Sequence, residues 1–257
     1  MTRIRQGIIR YGELTSPEAA AAREAGALLI LPVGAVEQHG NGLPLATDNI
    51  RGEHVAERVA GELDLAFVLP PVSYGVSPHH LGLAGTITLD PKLFIAIVES
   101  IALNLAEAGW SKLLVVTGHG GNNAALGVVQ QSLLGSHPGF QFAFTPISAV
   151  AKKATAQMSR TEISGHSGES ETSQVLAIDP SLVHREALSE GATTMESMNQ
   201  RAQLSRRGTP SVAVRFSEYA ENGVLGDPRT ATATDGQAVL DEAVAVIAGF
   251  ARELINS

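Results

Sequence analysis

Glu37, His39 and Asp48 stand in one loop, EQHGNGLPLATD, directly behind the apolar run from Ala27 to Val33. Carboxylate, imidazole and carboxylate are the side chains that hold divalent metals in a protein without thiolates. Glu37 and His39 are two positions apart, so extended backbone points them the same way, while Gly40, Gly42 and Pro44 let the chain fold back and bring Asp48 to the same place. Further candidates follow in order: His79 and His80 in YGVSPHHLGLAGT, His119 in TGHGGNN, and His166 and Glu169 in SGHSGESETSQ. A single catalytic metal is held by about three side chains with one position open. Glu37, His39, Asp48, His119 and Glu169 make five, a set that suits two metals sharing a carboxylate, with Asp48 as the candidate bridge. Two such metals share a water, lower its pKa and polarise a carbonyl, which is a scheme for hydrolysing amides.

Other readings stay open for single residues. The GHGGN turn could cradle a phosphate on backbone N–H groups, although it has neither the Lys-Ser/Thr of a P-loop nor the spacing of a dinucleotide fingerprint. Acidic residues also favour helix N-termini, which offers a purely structural role to Glu169 or Glu171. One of His79 and His80 is expected to be an ordinary loop histidine. For the last carboxylate, Glu162, Glu169 and Glu171 compete. Two divalent ions, balanced by Glu37, Asp48 and a hydroxide, need one more negative charge in a low-dielectric pocket. Glu169 is expected to supply it: it lies three positions from His166, so a helix starting near Ser167 puts the two on one side. Glu171 falls about 200° around that helix from Glu169.

The elements that must position these residues alternate. Strands are expected at Ala27 to Val33, Phe67 to Pro71, Lys112 to Thr117 and Phe140 to Thr145, with an edge strand at Val212 to Phe216. Helices are expected at Ile50 to Leu63, from an Asp90-Pro91 cap to a stop at Gly109, at Asn123 to Leu134, near Ala149 to Gln157, from Glu169 to Ile178, and at Asp235 to Ile255. Short continuous apolar strands between helices imply an α/β fold, a mostly parallel sheet flanked by helices on both faces. In such sheets ligands bind outside the carboxyl ends of the strands, and that is where the candidate residues fall. No linker, repeat or low-complexity tract divides the 257 residues, so a single domain is expected over 1–257.

Composition narrows the function. With 44% hydrophobic and 17% charged residues, the chain has the make-up of an ordinary globular protein. A net charge of −8, with Arg206 and Arg207 the only adjacent arginines, argues against a nucleic-acid partner. No cysteine is present, which removes disulfides, thiolate metal sites and a Cys nucleophile. Neither a signal-type apolar core at the N-terminus nor a run of about 20 apolar residues is seen, so no membrane partner and a cytoplasmic location are expected.

Five ordered motifs, PVGAVEQHGNGLPLATD, GVSPHHLGLAGTITLD, VTGHGGN, SGHSGESETS and GDPRTATATDG, make the chain resemble the creatininase (creatinine amidohydrolase) family over nearly its whole length. The resemblance implies a sandwich of sheet between helices, a homo-oligomer, often a hexamer, and two divalent ions per subunit, zinc, manganese or iron. It implies Glu37, His39, Asp48 and His119 as ligands, with Asp48 bridging, and His166 as the catalytic acid/base. Creatinine-hydrolysing members carry a glutamate two residues after the GH histidine, where this chain has Gly121, so Glu169 is expected to compensate as in the HAGE-type branch. They also use a tryptophan before the His of the last motif, whereas the single Trp here is Trp110 at a helix end. Two further positions depart from the family: His79, where Glu is more usual, and Ser167, where Ala is. The expected function is hydrolysis of a non-peptide C–N bond in a small amide, lactam or formamide, the alternatives being a peptidase of the same family or a non-catalytic phosphate- or small-molecule-binding protein. His80, Gly120, Gly121 and Asn122 are the expected substrate-binding positions.

Overall fold

In a computed structural model that describes residues 4–158 and 160–257, the apolar runs form strands β1 (Leu28–Val33), β2 (Ala66–Val68), β3 (Lys112–Thr117) and β4 (Gln141–Pro146). All pair in parallel, in the order β2-β1-β3-β4. Leu29 lies beside Phe67 on one flank and Leu113 on the other, and Leu113 beside Phe142. Every residue of β1 is buried, which is why that strand reads as continuous apolar sequence rather than an alternation. Residues 1–3, where the N-terminal stretch weighed above begins, lie outside the described residues, as does residue 159.

Alternate side chains of the sheet feed two cores. Leu29, Leu31, Val33, Leu113 and Val115 face α3 (Pro91–Glu107) and α4 (Asn123–Ser136) through Phe94, Val98, Leu126, Val129 and Leu133. Leu28, Ile30, Leu114 and Val116 face α2 (Thr47–Gly61) and α10 (Ala233–Asn256) through Val55, Val59, Leu240, Val244 and Ile247. Asp90 caps α3, its side chain accepting from the Lys92 N–H at 2.8 Å, and Pro91 occupies the first turn, where a missing N–H costs nothing. Helix α1 (Ser16–Glu24) was not among the expected elements; its start is marked by Thr15 and Glu18 in a capping box followed by Pro17.

Two expectations need correction. The helix near Ala149 to Gln157 is two pieces, α5 (Ile147–Val150) and α6 (Lys152–Met158). Val212 to Phe216 is not an edge strand: residues 212–215 are irregular and Phe216 opens the short helix α9 (Phe216–Tyr219). Phe216 is held instead by a cluster of histidine rings, stacking on His80 at 4.1 Å between centroids. The polar stretch after Ile178 runs through 3-10 turns at Pro180–Leu182, Arg185–Ala187 and Met195–Ser197 and one helix, α8 (Gln200–Arg206). No helix among the described residues is long and apolar enough to cross a membrane.

Candidate metal centre

The loops at the carboxyl ends of β1 and β3 deliver the central side chains. After β1 the backbone carries Glu37 and His39 inward, and Asp48 follows in the first turn of α2; after β3 the chain turns at Gly118 and presents His119. Gly118 is required at that place, because a Cβ there would run into the backbone carbonyl of Asp48. The four side chains are between 0% and 4% exposed.

The orientation of the imidazoles is set by the backbone. His39 Nδ1–H donates to the Glu37 carbonyl at 3.1 Å, which leaves Nε2 facing Asp48 Oδ1 and Glu171 Oε2, each at 3.5 Å. His119 Nε2–H donates to the Val76 carbonyl at 3.0 Å, which leaves Nδ1 facing Glu37 Oε1 at 3.2 Å and Asp48 Oδ2 at 3.1 Å. A carbonyl that fixes one ring nitrogen so that the other is aimed at a cation is the usual support of a metal-ligating histidine. Each free lone pair looks at two carboxylate oxygens, an arrangement that holds only with positive charge between them. Glu37 Oε2, His39 Nε2 and Asp48 Oδ2 have no hydrogen-bond partner although buried; for Asp48 Oδ2 the close His119 nitrogen is not aligned as a donor. Such orphaned atoms call for an explanation, and the donor set fits a divalent cation.

Three groups of side chains could each surround an ion: Glu37, His79 and His119; Glu37, His39 and His166; and His39, Asp48 and Glu171. The two oxygens of Asp48 go to different places, Oδ2 toward His119 and Oδ1 toward His39.

Protonation follows the same charges. Burial opposes a charge on His119, but Glu37 and Asp48 outweigh it and push the imidazolium up to about 10. Burial likewise opposes a charge on His39, and Asp48 and Glu171 together hold its pKa well above the usual histidine value. Burial, then the neighbouring Asp48, raises Glu37. Asp48 moves the other way: burial resists, yet His39 and His119 hold it well below the ordinary carboxylate range. His166 is lowered to about 3 by burial and then by His39, so its ring is neutral. Its Nε2–H donates to the Gln38 carbonyl at 2.7 Å, and Nδ1 faces Glu37 Oε1 at 3.6 Å and Glu171 Oε2 at 3.9 Å.

The carboxylate that joins this group from the SGHSGESETS motif is Glu171, and the placement expected for Glu169 is corrected. Helix α7 (Glu169–Ile178) starts at Glu169 rather than near Ser167, and Ser167 before it takes a left-handed φ of 56°. His166 is therefore off the helix, and helical spacing from it does not apply. Glu169 turns away, accepting from Thr161 Oγ1 at 2.7 Å and Ser164 Oγ at 3.1 Å, a buried tie for the loop at residues 161–165. Glu171 is lowered to about 2, burial being overcome chiefly by Arg51. Arg51 was not foreseen. It is fully buried, one helical turn past Asp48, and its guanidinium reaches Glu171 Oε1 at 2.6 Å, Gln174 Oε1 at 3.0 Å and Asp48 Oδ1 at 3.4 Å. An arginine one turn after a candidate ligand, on the helix face that goes on through Val55 and Val59, was the available signal.

A cavity of about 590 Å³ opens over these groups, lined among others by Glu37, Asp48, His119, Gly120, Gly121 and His166. Of the expected substrate positions, Gly120 and Gly121 lie on its wall. At Gly121 the backbone is wedged against the His119 ring, the Val76 carbonyl and the His79 ring, with no room for a Cβ. His80 also lines it, but its ring is engaged: Gln38 Nε2 donates to Nδ1 at 3.0 Å and Nε2 faces Glu37 Oε1 at 3.3 Å. Burial, then the neighbouring His166, lowers its pKa. His79 is lowered to about 4, by burial and then by His119. Asn122 is not among the cavity residues; it is a strut, its amide accepting from the Val76 N–H at 2.9 Å and donating to the Gly34 carbonyl at 3.0 Å. The N–H groups of Asn122 and Asn123 are already given to the carbonyls of His119 and Gly120.

Trp110 is far from this chemistry, buried in the core against Tyr11 at 5.8 Å.

The sequence pattern of one known family, described as creatininase, creatinine amidohydrolase, matches residues 12–251. A mycofactocin precursor peptide peptidase of Mycolicibacterium smegmatis is 32% identical over 228 residues, spanning 84% of this chain and 81% of that protein. Among solved structures, a creatinine amidohydrolase (creatininase) superposes with a TM-score of 0.81 at 26% identity, covering 98% of this chain and 100% of the other. A manganese creatininase does so with a TM-score of 0.80 at 26% identity, covering 97% and 100%.

Proposed function

Since the chain belongs to the creatininase family, we propose that it is a dinuclear-metal amidohydrolase that breaks the C–N bond of a small amide, lactam or formamide, the whole chain acting as one catalytic unit. The observation that carries this reading is the divided aim of Asp48, whose two oxygens face two imidazoles that are each fixed from behind by a backbone carbonyl. Glu37, His119 and Asp48 would hold one divalent ion; His39, Glu171 and Asp48 would hold the other. When bound, such a pair polarises a carbonyl and lowers the pKa of a water.

The remaining steps belong to side chains of the protein. Hydrolysis places the water's oxygen on the carbonyl carbon and a proton on the departing nitrogen. His166 is neutral, and its Nε2–H is committed to the Gln38 carbonyl, so Nδ1 is the atom that accepts a proton and passes it to the leaving nitrogen. His80, itself held by Gln38, faces Glu37 Oε1, the same oxygen that His119 faces. Phe216 covers the rings of His80 and His166 at 4.1 and 4.8 Å between centroids and keeps water from that flank. Gly120 and Gly121 leave backbone, not side chain, against the substrate.

A short peptide is the second reading, supported by the name and coverage of the mycobacterial relative. The test is to strip the protein, reconstitute it with zinc, manganese or iron, measure bound metal, and assay cyclic amides, formamides and short peptides. About two metals per subunit and turnover of a non-peptide amide are expected. Turnover confined to peptides selects the second reading; no metal uptake and no turnover remove both. Sedimentation of the same preparation tests the homo-oligomer that the family likeness suggests.

A further inference from the structure

The cavity above the metal centre has a second wall that the hydrolytic chemistry does not use. It is built from α8 and α9. Ala202 of α8 is fully buried with Met198, Ile163 and Leu225, and Phe216 and Tyr219 of α9 pack on the same cluster. The two helices are tied directly: Tyr219 Oη donates to Ser205 Oγ at 2.8 Å, Arg201 donates to the Ala213 carbonyl at 3.1 Å, and Arg201 lies 3.6 Å from Glu218. Ile163, in the same cluster, is three residues from His166, so wall and proton-transfer residue share one support.

From this wall Phe216 and Arg206 line the cavity. The charges around the cavity are otherwise negative or cancelled. Glu37, Asp48, Glu162 and Glu171 are acidic, and the other lining arginine, Arg51, is already bound to Glu171 and Asp48. Arg206 is exposed and has no carboxylate or carbonyl partner among the described residues; Glu162 lines the same cavity without pairing to it. An unpaired guanidinium on a supported wall, above a centre that attracts a polarisable carbonyl, is a receptor for a second, anionic group on the same molecule. One planar fork without a helper lysine matches one carboxylate, while the nearby acids oppose the double charge of a phosphate monoester.

We propose that Arg206 selects amide substrates that also carry a carboxylate, with Phe216 flanking the chain between the two groups. The class is that of N-acyl amino acids or peptides presenting a C-terminal carboxylate. This rests on the amidohydrolase reading above and adds a specificity-determining residue to it.

The experiment compares matched N-formyl and N-acetyl amino acids, and short peptides, with the same compounds reduced to the primary alcohol, on metal-loaded wild type, Arg206→Ala and Arg206→Lys. Calorimetric binding of each N-acetyl amino acid is measured alongside turnover. For wild type the acid is expected to exceed the alcohol by about tenfold in kcat/KM, expressed in KM, as fits one partly solvated charge-assisted pair. In Arg206→Ala that ratio falls to about 1, with partial return in Arg206→Lys, while circular dichroism and metal content match wild type. Equal turnover of acid and alcohol by wild type, or an acid preference that survives Arg206→Ala, overturns the carboxylate site and leaves the amidohydrolase reading standing. Acids that bind wild type but not Arg206→Ala, with no amide hydrolysed, keep the site and overturn the amidohydrolase reading. Absence of both binding and turnover of the acids overturns the proposal.

Discussion

The floor of the cavity and its α8–α9 wall are built on opposite terms. The floor is almost fully buried, hangs from the ends of β1 and β3, and each of its imidazoles is fixed by a main-chain carbonyl. The wall consists of two short helices on a small cluster of their own, joined by irregular chain and exposed over most of its surface. A floor tied to the sheet suits chemistry that every substrate shares, whereas a separately packed wall is free to change with the substrate. Substitutions should therefore divide the two: floor variants remove metal and kcat together, and wall variants move KM.

The largest effect is expected at Asp48 and His119. Asp48→Asn or His119→Ala should lower kcat by at least about 10³-fold, in the range seen when a catalytic group is removed from a site that acts as a unit. Metal analysis should show loss of bound ion with unchanged circular dichroism. Full metal content in His119→Ala would move that residue off the floor.

Next comes a pair of residues two positions apart that belong to different regions. Glu171→Gln should lose metal and most activity, since it faces His39 and is held by Arg51. Glu169→Gln should keep both metals and cost about 1 kcal/mol of stability through its bonds to Thr161 and Ser164, measured by denaturant unfolding. The reverse pattern would mean that the helix presents the other acid to the centre.

A pH effect on the metal-free protein should be intermediate in size. His119 has a folded pKa of about 10, above the usual 6.5, so its protonated form stabilises the fold fully below pH 6.5 and that contribution is lost as pH rises toward 10. The chelator-treated protein should thus lose thermal stability between pH 6.5 and 10, and reloaded protein should lose much less, because a cation then does the work of the proton. Melting curves of both forms across that window decide it. Parallel curves would break the link between the proton and metal positions.

Phe216→Ala should give the smallest change, a KM about fivefold higher with kcat less affected, consistent with the modest worth of one aromatic contact. A larger fall in kcat than rise in KM would show that the ring holds His166 rather than substrate.

The contrast also explains what the sequence disclosed. The convergence of Glu37, His39, Asp48 and His119 was legible because Glu37, His39 and His119 each follow an apolar run by a few residues, Gly40, Gly42 and Pro44 let the chain return at Asp48, and parallel strands bring their carboxyl ends to one edge. Four strands, the long helices and the capped start of α3 were legible for the same local reasons. Glu171 was not, since its side depends on one left-handed residue, Ser167, which no helical spacing anticipates. Arg51 escaped because its worth lies in partners 120 and 123 positions away, Glu171 and Gln174. At Val212 to Phe216 a pattern fit for a strand was overridden by the histidine rings that capture Phe216.

Gly121 limits what this side of the cavity can carry. At Gly121 the backbone is pressed against the His119 ring, the Val76 carbonyl and the His79 ring. A side chain cannot be added there without moving the His119 imidazole. Gly121→Glu would therefore displace His119 before its carboxylate could reach the centre, so variation of this cavity falls to its other positions.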